Sequence, residues 1–173
     1  SSRVGEVAKV LTGAERAVLL LGGAATRRPG LLAAARLAAA AGVQVLVETF
    51  PARLERGAGL PAFERLGYFP DQALGQLAGT DHLVLAGARA PVAFFAYPGK
   101  PSSLVPPGAQ VHTLAAPDED APGALAELAD LVAGTDSTVS PSLSPHRRPA
   151  LPDPSTPLDL ASWPAVVAAL LPE

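Results

Sequence analysis

The fold is decided by the stretch Ala17-Val18-Leu19-Leu20-Leu21-Gly22-Gly23. Five consecutive apolar residues followed by glycines are typical of a strand that is buried on both faces and ends in a tight turn. Residues 29–41 are rich in alanine and leucine, with Pro29 suited to a first helical turn and Gly42 suited to a helix end. Residues 43–47, Val-Gln-Val-Leu-Val, follow as a second strand. The sequence therefore predicts a βαβ unit with a right-handed crossover.

The same alternation continues along the chain. Apolar runs predict strands at residues 82–86 and 110–114, and apolar faces predict helices at 71–77 and 122–133. Irregular polar or proline-rich composition predicts loops at 48–61 and 88–108, while residues 63–69 are ambiguous. We expect an α/β fold: a Rossmann-like, doubly wound parallel sheet of about six strands with helices on both faces.

The composition changes after residue 134. Residues 135–157 hold six prolines and five serines, which predicts a linker because such a segment buries too little apolar surface to offset its ordering entropy. Residues 158–171 resume an apolar helical pattern through Leu160, Trp163, Val166, Val167 and Leu170, with Asp159 or Ser162 available as an N-cap. We predict one domain over 1–134, a linker over 135–157 and the start of a further domain over 158–173.

Composition excludes several classes of function. The chain has no cysteine, which excludes disulfides, thiolate catalysis and cysteine-ligated metals. No apolar run reaches the roughly 18 to 20 residues of a membrane span, and no secretion signal opens the chain, so a cytoplasmic location and no membrane partner are expected. The net charge is −3 and the basic clusters at 27–28 and 146–148 are small, which argues against nucleic acid. The lack of any methionine favours a piece of a longer polypeptide.

Searches for catalytic and metal motifs give no candidate residue. His82, His112 and His146 lack the spacing that directs two imidazoles at one metal, and no GxSxG motif is present. The segment 98–102 is not a phosphate-binding GxxxxGK[ST] loop, because Phe94 replaces the first glycine and Pro101 replaces the hydroxyl residue. We therefore predict no catalytic and no metal-binding residue.

Glycine turns at strand ends are the candidates for ligand binding. Gly22-Gly23 follows the first strand and Gly87-Ala88-Arg89 follows another, at the edge where open α/β sheets bind ligands. Glu48 lies 26 residues beyond Gly22, against roughly 20 for the ribose-binding carboxylate of dinucleotide folds. A tight turn alone explains the glycines equally well, and Arg89 could bind a phosphate or face water.

An aromatic stretch, residues 90–97, contains Phe94, Phe95 and Tyr97. Two interpretations fit it: packing under a loop or against a neighbouring domain or subunit, and a platform that stacks on a ligand ring. The first is favoured.

Three segments together resemble one family. Ala-Val-Leu-Leu-Leu-Gly-Gly-Ala at 17–24, Val-Glu-Thr-Phe-Pro at 47–51 and Leu-Val-Leu-Ala-Gly-Ala-Arg at 83–89 resemble the central domain of thiamine-diphosphate-dependent enzymes. Residues 91–103 are similar to acetolactate-synthase-like and benzoylformate-decarboxylase-like chains. The resemblance covers residues 1–134, and 158–173 resembles the first helix of the C-terminal, diphosphate-binding domain.

The resemblance implies a non-catalytic domain of an enzyme acting on 2-oxo acids. Thiamine diphosphate and Mg²⁺ would be held by the flanking catalytic domains of the same parent chain, in a dimer or tetramer, and this piece would be inactive alone. The central domain binds FAD or an adenine nucleotide in some members and nothing in others. The family's ligand-facing turns fall on Gly22, Gly23, Thr49, Gly87 and Arg89. Residues 113–117, Thr-Leu-Ala-Ala-Pro, depart from the acidic turn of flavin-binding members.

Two alternatives remain open at this point. One is a free-standing nucleotide- or flavin-binding carrier of the same fold, as in electron-transfer flavoproteins or sirtuin-like domains, although His82 and His112 are poorly placed for a sirtuin. The other is a purely structural module.

Overall fold

A computed structural model describes residues 2–134, 141–145 and 150–171. The helices and strands of the described chain come in the following order: α1 (Ser2–Gly13), β1 (Ala17–Leu21), α2 (Arg28–Ala41), β2 (Gln44–Val47), β3 (Glu64–Arg65), α3 (Pro70–Leu77), β4 (His82–Ala86), β5 (Gln110–Ala115), α4 (Ala121–Ala133) and α5 (Trp163–Leu170).

The strands form one parallel sheet in the order β3-β2-β1-β4-β5. The chain winds outward from β1 to β3 and then returns to the other side of β1, which confirms the doubly wound α/β fold. The described residues give five strands where about six were expected. β3 is only two residues long, within the segment whose pattern was ambiguous, and the proline-rich loop after β4 adds only an isolated bridge between Val92 and Ser103.

One face of the sheet, called the closed face, is covered by α1, α2 and α4. Leu19 and Leu21 of β1 point to this side, where they join one large cluster with buried leucines of the helices, such as Leu37 and Leu125. Because side chains alternate along a strand, the next residue, Leu20, points to the opposite face.

That opposite face, called the open face, is covered by α3 and by the long loop after β4. Its smaller cluster joins Leu20 to Leu77 of α3 and to Leu104 of the loop. An ion pair between Lys100 and Asp71, 2.5 Å from Nζ to Oδ1, links the loop to α3. Helices therefore lie on both faces, as predicted, but unequally.

Helix α1 was not predicted from the sequence. Its buried residues Val4, Val7 and Leu11 have helical spacing, and they pack in the closed-face cluster. Gly5 and Gly13 weaken the local helical preference, so tertiary packing stabilises this helix rather than propensity.

The chain beyond α4 has little regular structure in its described parts. Residues 141–145 lie alongside the loop that precedes β3. The backbone N–H of Ser144 donates there to the carbonyl of Leu60 at 2.8 Å. Helix α5 begins at Trp163 with Ser162, one of the two predicted cap residues, at the N-cap position. Asp159, the other, accepts the N–H groups of Ala161 and Ser162 and holds a turn before the helix. None of the residues of α5 is buried. His146 lies outside the described residues.

Among the residues that the structure describes, no helix is long and apolar enough to span a membrane.

Candidate functional site

A cleft of about 370 Å³ lies at the carboxyl ends of the strands. Four of the five residues predicted to face a ligand line this rim cleft, namely Gly23, Thr49, Gly87 and Arg89. Leu20, Leu66 and Val92 contribute apolar wall, with further lining from Glu48, Phe50, Ala90, Pro91, Phe94 and Pro117. The position matches the rule that open parallel sheets bind ligands outside the strand ends where the chain changes direction.

Gly22, the fifth predicted residue, does not line the cleft. It lets the turns after β1 and β4 approach each other closely. A Cβ atom on Gly22 would be 2.7 Å from the carbonyl oxygen of Gly87, and a Cβ on Gly87 would be 2.6 Å from the carbonyl oxygen of Gly22. Gly87 also has a positive φ of 67°, which other residues rarely adopt. Both glycines are therefore required for the close approach of the turns after β1 and β4.

Glu48 interacts directly with the glycine turn. Its Oε1 atom accepts the backbone N–H of Gly23 at 3.1 Å, and its side chain is half-buried in the wall of the rim cleft. Sequence reasoning considered this carboxylate for a ribose hydroxyl. The structure instead places it on the backbone donor that a phosphate would use.

A second carboxylate of the same loop lies at the start of α2. Glu55 accepts the backbone N–H of Arg28 at 2.5 Å, which is favourable because helix N-termini attract negative charge. Its other oxygen lies 3.7 Å from Arg53 and 3.9 Å from Arg27. This carboxylate therefore fixes the loop after β2 against α2.

The remaining polar groups of the cleft differ in how fully they are paired. Thr49 donates from Oγ1 to the carbonyl of Gly67 over a long 3.5 Å. Arg89 is exposed, and its guanidinium has no hydrogen bond or ion pair within the described ranges. Arg89 is thus a cation available to an anionic ligand or a partner.

Beside the cleft lies an aromatic patch formed by Phe50, Tyr68, Phe69, Phe94 and Phe95. The Phe50 and Phe94 ring centroids are 5.0 Å apart, and Tyr68 stacks on Phe94 at 5.6 Å with an interplanar angle of 11°. Phe50, Phe69 and Phe95 remain about 60% exposed. Sequence reasoning identified Phe94 and Phe95 but missed the other three, which precede the aromatic stretch by at least 21 residues and join it only through the fold.

The turn after β5 lies at the same edge of the sheet as the rim cleft. Glu119 accepts the N–H of Ala116 at 2.7 Å and also pairs with Arg3 of α1 at 2.7 Å. The hydrogen bond from Ala116, followed by that from Arg3, lowers the pKa of the Glu119 carboxyl. This carboxylate is therefore engaged within the fold.

Two histidines meet at the opposite end of the sheet. The register of β4 and β5 brings Nδ1 of His82 within 2.9 Å of Nε2 of His112. Burial and then the neighbouring His82 lower the pKa of His112. Their sequence spacing gave no sign of this pair, since strand pairing alone creates it. No group of three or more metal-binding side chains occurs among the residues that the structure describes.

The sheet order and the cleft at its strand ends define a Rossmann-like, doubly wound α/β domain. No family model matches the chain. The chain is 58% identical over 172 residues to the "Putative acetolactate synthase large subunit IlvX" of Mycobacterium tuberculosis, a match that covers 98% of this chain and 32% of that protein. The chain thus spans about a third of the length of this relative.

Solved structures of the same fold come from thiamine-diphosphate-dependent enzymes. The 4-hydroxybenzoylformate decarboxylase of Rhodococcus jostii RHA1 aligns with a TM-score of 0.61 at 21% identity, over 87% of this chain and 31% of that one. A "putative thiamin diphosphate-dependent enzyme" of Mycobacterium smegmatis aligns with a TM-score of 0.56 at 23% identity, over 85% and 31%. At these identities the structures show the fold. The sequence relative shows that the chain matches about a third of an acetolactate-synthase-like protein, and the solved structures show that it shares its fold with part of two thiamine-diphosphate-dependent enzymes.

Proposed function

We propose that this chain is the central, non-catalytic domain of an acetolactate-synthase-like enzyme that acts on 2-oxo acids with thiamine diphosphate. Its role is to join the two catalytic domains and to support contacts between subunits in the cytoplasm. The observation that carries this proposal is the 58% identity that runs through nearly the whole chain yet covers only 32% of the relative.

The proposed domain limits are 1–134 for the central domain, 135–157 for the linker and 158–173 for the start of the C-terminal domain. Helix α4 ends at Ala133, and the described residues between it and α5 form no helix or strand. The unburied α5 exposes Trp163 and Leu170, as expected of a helix whose packing surface belongs to another domain. The relative matches through this region too, since 98% of the chain aligns.

The aromatic patch is the proposed contact with the catalytic domains of the same parent chain. Clustered exposed aromatic rings are typical of surfaces that become buried in an assembly. About two thirds of the relative's length lies outside the aligned part, which is enough chain to cover such a patch. In the parent, these contacts would contribute to a dimer or tetramer.

Thiamine diphosphate and Mg²⁺ are proposed to bind outside this chain, in the flanking domains. Thiamine diphosphate supplies the carbanion chemistry of such enzymes when bound, and the described residues provide no set of three side chains able to hold a metal. We propose that Gly22, Gly23, Thr49, Gly87 and Arg89 form the ligand rim of this domain. FAD or an adenine nucleotide would have to place its diphosphate at the glycine turn. This group does not fit there as the chain is folded, because Glu48 occupies the N–H of Gly23.

The first test compares the chain with the full-length product of its gene. We expect reading frame on both sides, with a glutamate-bearing domain upstream and a GDG…N segment downstream. The full-length product should release CO₂ from pyruvate in the presence of thiamine diphosphate and Mg²⁺, whereas the 173-residue chain should release none. A gene that encodes this chain alone would contradict the proposal.

The second test addresses the aromatic patch in the full-length protein. Phe95→Ser should weaken subunit association, measured by light scattering over a dilution series, because it removes apolar area from the contact surface. Leu131→Ser is a matched control, since Leu131 on α4 is exposed to the same extent as Phe95, 60% against 61%. Equal effects of both substitutions, or none from either, would argue against the patch as a contact.

A free-standing flavin or nucleotide carrier is the second candidate: the rim cleft at the strand ends favours it, whereas Glu48 on the Gly23 N–H opposes it. It predicts that the purified 173-residue chain is yellow, or that it releases adenine nucleotide when denatured in about one copy per chain. Chromatography of the supernatant after denaturation distinguishes this function from the first.

A further inference from the structure

Backbone N–H groups at a glycine turn and at the following helix are what an open α/β sheet offers to a phosphate. In this chain, both positions carry an internal carboxylate. Glu48 accepts the N–H of Gly23, and Glu55 accepts the N–H of Arg28 at the start of α2. Both acidic residues come from the loop after β2.

Glu48 also fills the space that the glycine turn leaves open. Its carboxyl carbon lies 2.9 Å from the position that a Cβ atom on Gly22 would take. A glycine there normally lets a diphosphate approach the backbone. Here the room next to Gly22 is taken by the Glu48 carboxyl group.

The carboxylate also opposes a phosphate electrostatically. A phosphate that sought the Gly23 N–H would meet a negative charge already hydrogen-bonded to it, in a half-buried cleft where charges are screened less than in water. The available cation, Arg89, lies in the turn after β4, in another part of the cleft wall. It does not neutralise Glu48, because no ion pair joins them in the described structure.

From this arrangement we infer that Glu48 is the specificity-determining residue of the rim cleft and excludes ligands that place a phosphate on the glycine turn. The inference rests on the cleft proposed above as the ligand site. The cleft then selects ligands that bring no diphosphate to this point: uncharged, ring-bearing compounds of the nucleoside type that lie between Leu66, Val92 and Phe94. Removing the Glu48 side chain opens the phosphate position.

The experiment measures binding of ADP and of adenosine to the 173-residue chain by isothermal titration calorimetry. The native chain should bind ADP no more tightly than adenosine. Glu48→Ala should tighten ADP binding by at least about tenfold, which corresponds to about 1.4 kcal/mol, and leave adenosine unchanged. Glu48→Gln should give a smaller gain, because its amide oxygen still accepts the Gly23 N–H. Glu6→Ala removes one negative charge from the exposed surface of α1 and should change neither ligand.

Three outcomes would overturn the inference: native chain that binds ADP more tightly than adenosine, a Glu48→Ala chain that gains nothing for ADP, or no binding of either ligand to any variant. If Glu48→Ala fails to fold by circular dichroism, Glu48→Gln decides, and no gain for ADP in that variant counts against Glu48. None of these results bears on the reading frame or on CO₂ release by the full-length product, so failure here is distinguishable from failure of the proposed function.

Discussion

The two faces of the sheet are built from the same strands but covered in different ways. On the closed face, α1, α2 and α4 bury a continuous cluster. On the open face, the eight-residue α3 and a proline-rich loop bury a smaller cluster, with the rim cleft beside it. The closed face therefore holds most of the packing that stabilises the fold, and the open face carries the surfaces available for binding.

This difference follows from how each cover is made. Helices satisfy their own backbone groups and pack at near-crystalline density. A long loop cannot pack equally well, and it leaves gaps at its edge. Val92 and Phe94 are exposed although they lie beside buried Leu104 in that loop, so an apolar opening at the sheet edge is the direct result of a loop cover.

The largest expected effect comes from truncating β1 on each face in turn. Leu19 and Leu20 are neighbours, both at most 1% exposed, and point to opposite faces. Leu19→Ala should lower the free energy of unfolding by about 3 to 5 kcal/mol, because three helices cannot collapse into the cavity. Leu20→Ala should cost about 2 to 3 kcal/mol, since Leu20 lines the rim cleft and its cavity opens to solvent.

Denaturant unfolding of both variants measures this difference on one strand with one type of substitution. A Leu20→Ala chain that loses as much stability as Leu19→Ala would mean that the loop packs as rigidly as the helices. The comparison between the faces would then fail.

The second effect concerns Gly87, where the turns after β1 and β4 approach each other beside the rim cleft. Gly87→Ala should destabilise the chain by about 1 to 3 kcal/mol, because a non-glycine residue at positive φ is strained and the new Cβ meets the Gly22 carbonyl. Gly99 has a similar φ of 72° but nothing within 4 Å of its Cβ position. Gly99→Ala therefore reports the strain alone. Equal melting temperatures for the two variants would show that the close approach of the turns contributes nothing.

Most of the fold could be predicted from sequence because the strands β1, β2 and β4 are short runs with glycine nearby, apolar throughout except for Gln44 and His82 at the starts of β2 and β4. Two elements, β3 and α1, could not be predicted from sequence. β3 is a two-residue strand of Glu64 and Arg65, both exposed, so no hydrophobic pattern marks it. Helix α1 is interrupted by Gly5 and depends on packing against the sheet and α4, which local propensity does not report.

The sequence predicted which turns form the candidate site, but not which side chains make contact there. Gly23, Thr49, Gly87 and Arg89 lie together because parallel strands end at one edge, a consequence of topology that sequence can anticipate. The hydrogen bond from Gly23 to Glu48 depends on the path of the loop after β2, which has no periodic signal. The aromatic patch likewise joins residues from three separate segments.

The smallest expected effect is a dependence on pH that enters through the closed face. His82 and His112 point to that side, because each lies two residues before a member of the closed-face cluster, Val84 and Leu114 respectively, and residues two apart on a strand share a face. One imidazole must accept the proton that the other donates, so the contact is lost when both are protonated. It is the polar edge of an otherwise apolar face.

Because burial and His82 lower the pKa of His112 in the folded chain, the unfolded chain binds the proton first as the pH falls. The stabilising contribution is complete above the unfolded pKa of about 6.5 and is lost as the pH falls through that value towards the lower folded pKa. Glu119, Asp153 and Asp159 have lowered pKa values, which moves their titration away from the range in which an imidazole titrates. The interval from pH 7.5 to pH 5.5 is therefore the range in which the contribution of His112 is measured.

The urea midpoint of the native chain should fall over this interval, and His112→Asn should remove part of the fall because asparagine does not titrate. Leu20→Ala provides the comparison with the open face: it should be less stable at every pH but show the native slope. If His112→Asn keeps the full slope, the pH dependence arises elsewhere. The closed face would then have no weak edge at the histidine pair, and the contrast between the two faces would be sharper than the structure indicates.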